Sequence, residues 1–236
     1  MSDSIIIDNF TRYTMNEFHK LPENPGIYCW YSKTNIAEID WKETSDKEFY
    51  EIISSFLKRY RPNSLQANVK SSFGLNWESD LTERNVGSWV EAVEGKLVND
   101  NTSETSRFKS MISKENNREL LSRVLNLSGP IFSSPLYIGK ANNLSVRLNA
   151  HKNKLNDLYE EGSKEKDRFF NNGSDFSERA FGAGFTRSEL YVYALDLVKF
   201  SDQLKITDYN VDDLYNLSLT LEYILNRKYR PFLGRN

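Results

Sequence analysis

Leu136-Tyr137-Ile138-Gly139-Lys140-Ala141-Asn142-Asn143-Leu144 changes character midway along its length. Leu136 to Ile138 is apolar and β-prone and ends at Gly139, the pattern of a short buried strand. Asn142 or Asn143 then offers a side-chain acceptor to the open N–H groups of a helix start. Leu144, Leu148, His151 and Leu155 follow at helical spacing, so a helix running to about Tyr159 presents one largely apolar face.

The neighbouring elements can be placed outward from this unit. Upstream, Gly26 to Tyr31 (GIYCWY) is aromatic and bounded by Pro25 and by Ser32 to Asn35, so it reads as a second buried strand. A short helix around Met15 to Lys20 precedes it. Downstream, Glu160 to Gly184 is polar and reads as an exposed loop with some local structure. Glu189 to Leu197 (ELYVYALDL) is the strongest β signal in the chain. Asp212 and Asp213 open a last helix, whose stripe is Leu214, Leu217, Leu221, Leu225 and Tyr229, and Pro231 ends it.

Residues 34–133 have a different texture, mostly helical and poor in strands. Ser45 caps a helix through Phe49, Ile52, Phe56 and Leu57 that stops near Pro62. Val86 to Val98 reads as a second helix. Arg107 to Leu127 reads as a third, with Phe108, Met111, Ile112, Leu120, Leu121, Val124 and Leu125 as its apolar face. The expected organisation is α+β. A small antiparallel three-stranded sheet flanked by helices is built from residues 1–33 and 134–236, and 34–133 is a mostly helical insertion.

The 236 residues include fourteen Phe, thirteen Tyr and four Trp, enough aromatic mass for a packed core. The formal net charge of −2 is not the footprint of a protein that coats nucleic acid non-specifically. Positive charge for such a partner must be local, or come from a metal. The single cysteine, Cys29, excludes an internal disulfide and a Cys-rich zinc site, and the two histidines, His19 and His151, are far apart. The N-terminal residues lack the basic start and apolar run of a signal peptide, and no stretch approaches the ~20 apolar residues of a membrane span. The expectation is a soluble cytoplasmic protein without a membrane partner.

Pro25-Gly26-Ile27-Tyr28 resembles the first motif of the GIY-YIG nucleases, and Tyr137-Ile138-Gly139-Lys140 resembles the second. Arg147 falls where that family places its helix arginine, and Leu221-Glu222 followed by Pro231 resembles its ending. The chain departs from the family in three respects. Roughly a hundred residues separate motifs that the family joins by a short connection, far beyond ordinary loop lengths. Gly234 stands where the family often has an asparagine, so either Asn236 takes that role by a local shift or the role is lost. The chain is acidic where many relatives are basic.

The resemblance implies a metal-dependent DNA endonuclease, of a restriction or phage-defence kind, with Mg²⁺ or Mn²⁺ as cofactor. Tyr28 or Tyr137 would position or deprotonate the attacking water. Arg147 would clamp phosphate with its planar fork, and Glu222 would be the single protein ligand of the metal. His151, at i+4 from Arg147, would assist proton transfer, as a histidine at this spacing does in some restriction-type relatives. Gly139, Lys140 and Asn236 would lie on the substrate side. Double-stranded DNA is the expected partner, and a homodimer would supply the two sites that two strand cuts require.

Each residue also has a plainer reading. Both motifs are ordinary buried strands when taken alone, Arg147 and Lys140 are solvated, His151 is a hydrogen-bonded core histidine, and Glu222 pairs with Asn226 or Arg227 on a helix surface. The alternative function is a non-catalytic nucleic-acid- or protein-binding module that keeps the fold. A third reading is an interaction protein whose insertion carries Trp77 and Trp89 as interface anchors. Lys164, Lys166, Arg168, Arg179 and Arg187 are interspersed with acids and read as a solvated loop, and Lys58, Arg59 and Arg61 form a smaller basic group.

Overall fold

A computed structural model describes residues 9–59, 103–128, 134–162, 173–206 and 208–234, together with Phe132 and Phe169. The second expected helix of the insertion, Trp77, Trp89, Arg61, Lys164, Lys166, Arg168 and Asn236 lie outside the described residues. The chain divides into two compact units, Met1–Asn35 with Asn126–Asn236, and Ile36–Leu125.

The first unit is α+β and is built on one antiparallel sheet. Its strands are β1 (Phe10–Thr14), β2 (Gly26–Ser32), β3 (Tyr137–Ala141) and β4 (Leu190–Asp196), in the order β1-β4-β2-β3. The sheet therefore has four strands rather than the expected three. The extra strand, β1, pairs with β4 along the edge, from Phe10 opposite Leu195 to Thr14 opposite Tyr191. Its residues are half-buried or exposed, so it lacks the apolar density that marks a strand in a sequence. β2 is central, held between β4 and β3 with Tyr28 opposite both Ala194 and Gly139.

A 3-10 helix over Met15–Lys20 joins β1 to β2. Asn143, the second of the two asparagines, caps the helix after β3, its side chain accepting from the Val146 N–H at 2.9 Å. That helix (Leu144–Glu160) buries Leu144, Leu148, His151 and Leu155 as the spacing requires. A further helix, Phe176–Gly182, lies where a loop was expected. It is short and carries Ser, Glu and Arg. Asp175 nevertheless caps it by accepting from the Glu178 N–H, and Phe176, Ala180 and Phe181 are buried.

The strand β4 runs directly into a helix over Leu197–Gln203, and the last helix spans Val211–Tyr229. Asn210 and Asp213 close its start reciprocally. Its buried side is centred on Leu214 and Ser218, while Leu217 and Tyr229 of the expected stripe are largely exposed. Arg230 follows in the left-handed region (φ 43°, ψ 64°), where Pro231 behind it disfavours a further helical residue. On the face of β2 away from Tyr28, burial pushes the Cys29 thiol up to about 12, so it stays protonated.

The second unit is helical: Glu38–Lys42, Asp46–Arg59, Ser103–Ile112 and Glu115–Leu127 are its described helices, the last running two residues past the unit boundary. Its core is Ile36, Trp41, Phe49, Ile53 and Ile112. The single helix expected over 107–127 is two, and side chains explain the break. Ser113 donates to the Ser110 carbonyl, Asn117 to Met111 and Arg118 to Ile112, so the last carbonyls of the first helix are satisfied without a further turn. Met111, Leu120 and Val124, expected on the apolar face, are exposed.

Candidate active site

Both motif glycines are required by close approach. A Cβ on Gly26 would collide with the Leu195 carbonyl and with Leu144. A Cβ on Gly139 would lie 2.5 Å from the ring and hydroxyl of Tyr28 and 2.7 Å from the Tyr137 ring. Gly139 therefore makes room on β3 for the phenol that β2 sends across it. It contributes space to the site.

The two tyrosines occupy different depths. Tyr28 is completely buried, whereas Tyr137 is half-buried and lines an open cleft of about 840 Å³. Their ring centroids are 6.2 Å apart, with His151 and Phe176 packed against both or close by. Behind the cleft wall a hydrogen-bonded chain runs through Tyr28. Ser177 donates its one hydroxyl hydrogen to the His151 carbonyl (3.1 Å), so its oxygen accepts from His151 Nδ1–H (3.2 Å). His151 Nε2 then accepts from the Tyr28 hydroxyl at 3.0 Å. The Tyr28 oxygen in turn accepts from Arg147 Nε at 3.4 Å. Arg147 sits on the helix after β3 and lines the cleft.

Burial, reinforced by the Arg147 charge, pulls the His151 imidazole down to about 4, so it is neutral and can accept from Tyr28. Burial also raises the Tyr28 phenol well above its ordinary value, with Tyr137 adding to the effect and Arg147 opposing it. Tyr137 is raised by burial and by Glu222, again against Arg147. Both tyrosines are neutral phenols at neutral pH, suited to hydrogen bonding rather than to acting as ready-made bases.

Glu222 projects from the last helix into the same cleft, half-buried. Burial raises its carboxyl, and the charges of Lys140 and Arg147 oppose the rise. Lys140 Nζ is held on Tyr215, donating to its hydroxyl at 2.9 Å. At the cleft Lys140 contributes its charge and a backbone hydrogen bond to the Glu222 carboxyl. Asn226 donates to the Glu222 backbone carbonyl (2.9 Å), and Arg227 stacks on Tyr223 at 4.5 Å, so the surface pairing expected for the carboxylate is not what these side chains do.

Tyr137, Arg147 and Glu222 thus meet at the cleft, and Tyr28 and His151 stand behind it. Several lining residues were not singled out from the sequence. Arg230 lines it just past the end of the last helix, and Asn226 and Arg227, considered from the sequence only as surface partners of Glu222, line it too. Arg179, read from the sequence as part of a solvated loop, is instead buried at the cleft. It donates to the carbonyls of Leu233 (2.8 Å) and Gly173 (3.0 Å) beside the Tyr137 ring. The only signal available for Asn226 was its i+4 spacing from Glu222. The lining holds Arg147, Arg179, Arg227 and Arg230 against the carboxylates of Asp175 and Glu222, and Asp175 is already paired with Lys154 at 2.7 Å. A chain of net charge −2 therefore has a locally cationic cleft.

Of the two carboxylates lining the cleft, Asp175 is paired with Lys154, which leaves Glu222 as the one that would hold a divalent metal. Among the described residues, no group of three His, Cys, Asp or Glu side chains is arranged to hold a metal ion. A single carboxylate would suit an ion such as Mg²⁺, which keeps most of its water and binds through one or two carboxylates and substrate phosphate. It does not fit a zinc-type cage. No helix among the described residues is long and apolar enough to cross a membrane. In comparison with known proteins, no protein-family model, no curated protein and no solved structure matches the chain.

Proposed function

We propose that this chain is a divalent-metal-dependent phosphodiesterase, an endonuclease of the GIY-YIG type acting on DNA. The observation that supports it is the convergence of Tyr137, Arg147 and Glu222, from three separate elements, on one cationic cleft, backed by the Tyr28–His151 pair. Arg147 binds two oxygens of the scissile phosphate, its guanidinium held in place by Tyr28. Tyr137, the phenol that faces the cleft, orients the water. The water's oxygen bonds to phosphorus as the bond to the leaving sugar oxygen breaks; the water gives up a proton to solvent through the open cleft, and the sugar oxygen takes one from solvent by the same route. Glu222 would hold a divalent metal, which when bound would supply positive charge where negative charge builds. Tyr28 and His151 are positioning residues in this scheme, because Tyr28 is closed off from the cleft by burial.

The test is to incubate supercoiled plasmid with the full chain in Mg²⁺, in Mn²⁺ and in EDTA. Nicked or linear product that requires metal is the expected result. Binding that persists in EDTA with no cleavage in either metal would instead identify a binding module.

A further inference from the structure

Tyr223 follows Glu222 on the last helix and lines the same cleft, yet it is 58% exposed. The Arg227 guanidinium lies over its ring at 4.5 Å. One turn further on, Arg230 is held in a left-handed conformation and also lines the cleft. A large aromatic is thus left open in the lining that also holds Arg147. An aromatic face backed by a guanidinium is well suited to stacking a nucleobase, since every base has a π-face. The open cleft, about 840 Å³ in volume, has room for a nucleotide beside the phosphate at Arg147.

We propose that Tyr223, stacked on Arg227, is a platform for an unpaired nucleobase adjoining the phosphate at Arg147. The strand at the site is then locally unstacked, either because it is single or because a nucleotide has left a duplex. This inference rests on reading the cleft as a phosphodiesterase site, and it narrows the duplex-DNA expectation to DNA that presents an unpaired base. Arg227 fixes the tyrosine ring and adds charge, while Arg230 meets the neighbouring backbone.

The probe is an oligonucleotide carrying one 2-aminopurine, whose fluorescence is quenched by stacking, titrated with the full chain in EDTA. The base is placed in a single strand, in a one-nucleotide bulge and in a fully paired duplex. Tight, quenched binding of the single strand or bulge, whichever source the site uses, is expected, with weaker binding and no quenching for the paired duplex. Tyr223→Ala should weaken that binding roughly tenfold, and Tyr223→Phe, which keeps the ring, should retain the quenching. Equal binding of paired and unpaired probes, or an unchanged Tyr223→Ala, overturns the proposal. The measurement needs no metal, so the two readings fail separately. Quenching that depends on Tyr223, without cleavage of any substrate, removes the hydrolytic reading and keeps the platform. Cleavage without such quenching does the reverse.

Discussion

Gly139 shows how much a single residue determines here. Its missing side chain is the space that the Tyr28 phenol fills, so Gly139→Ala must push Tyr28 or the β3 backbone aside. Overpacking of this kind costs about 1–3 kcal/mol, and urea melts should show that loss of stability. His151 gives a pH signature. Its folded value of about 4 lies below the ordinary 6.5, so between those limits the unfolded chain binds more protons and stability rises with pH. The contribution is fully present above 6.5 and is lost as the pH falls toward 4, a difference of about 3 kcal/mol. Denaturant melts across that range should flatten in His151→Gln. Arg147 was legible in the sequence because it follows β3 by a few residues, and Glu222 because Leu221-Glu222 precedes Pro231 in the pattern of the family ending. Ser177, Arg179 and Arg230 were not, because their partners are backbone carbonyls, a histidine or a cleft wall assembled from distant parts of the chain.

At the level of elements, the sequence was most readable where burial was most one-sided. β2, β3 and β4 and the helix after β3 carry dense apolar or aromatic residues at clear spacing, and the strands and helix appear within a few residues of their expected bounds. β1 was missed because an edge strand pairs through its backbone and needs little apolar side chain. The Phe176–Gly182 helix was missed because seven residues cannot establish a period, and its cap and buried rings show only in three dimensions. In the helical unit, the break before Glu115 depends on Arg118, which is buried and donates to the carbonyls of Trp41 and Ile112 at 2.9 Å and to Asp46 at 3.0 Å. Arg118→Ala leaves those buried carbonyls without their donor, at a cost of about 2–5 kcal/mol. Limited proteolysis should then cut the Ile36–Leu125 unit at lower denaturant concentration than in the wild type.

Across the whole molecule, an acidic chain presents a cleft with more arginines than carboxylates. Binding should therefore depend on a few local phosphate contacts rather than on a broad basic surface. Arg179 is committed to two backbone carbonyls, which leaves Arg147, Arg227 and Arg230 to neutralise phosphate. The slope of log affinity against log salt for single-stranded DNA should be about −2, well short of the slope of a heavily basic binder. The hydrolytic reading rests on Glu222 as the metal ligand and Arg147 as the phosphate clamp, and one measurement probes it most directly. Single-turnover cleavage of a labelled oligonucleotide in Mg²⁺ should be lost by roughly a thousandfold or more in Glu222→Ala, with the fold and metal-free DNA binding retained. An undiminished rate in Glu222→Ala, or cleavage that proceeds equally in EDTA, would contradict the proposed chemistry.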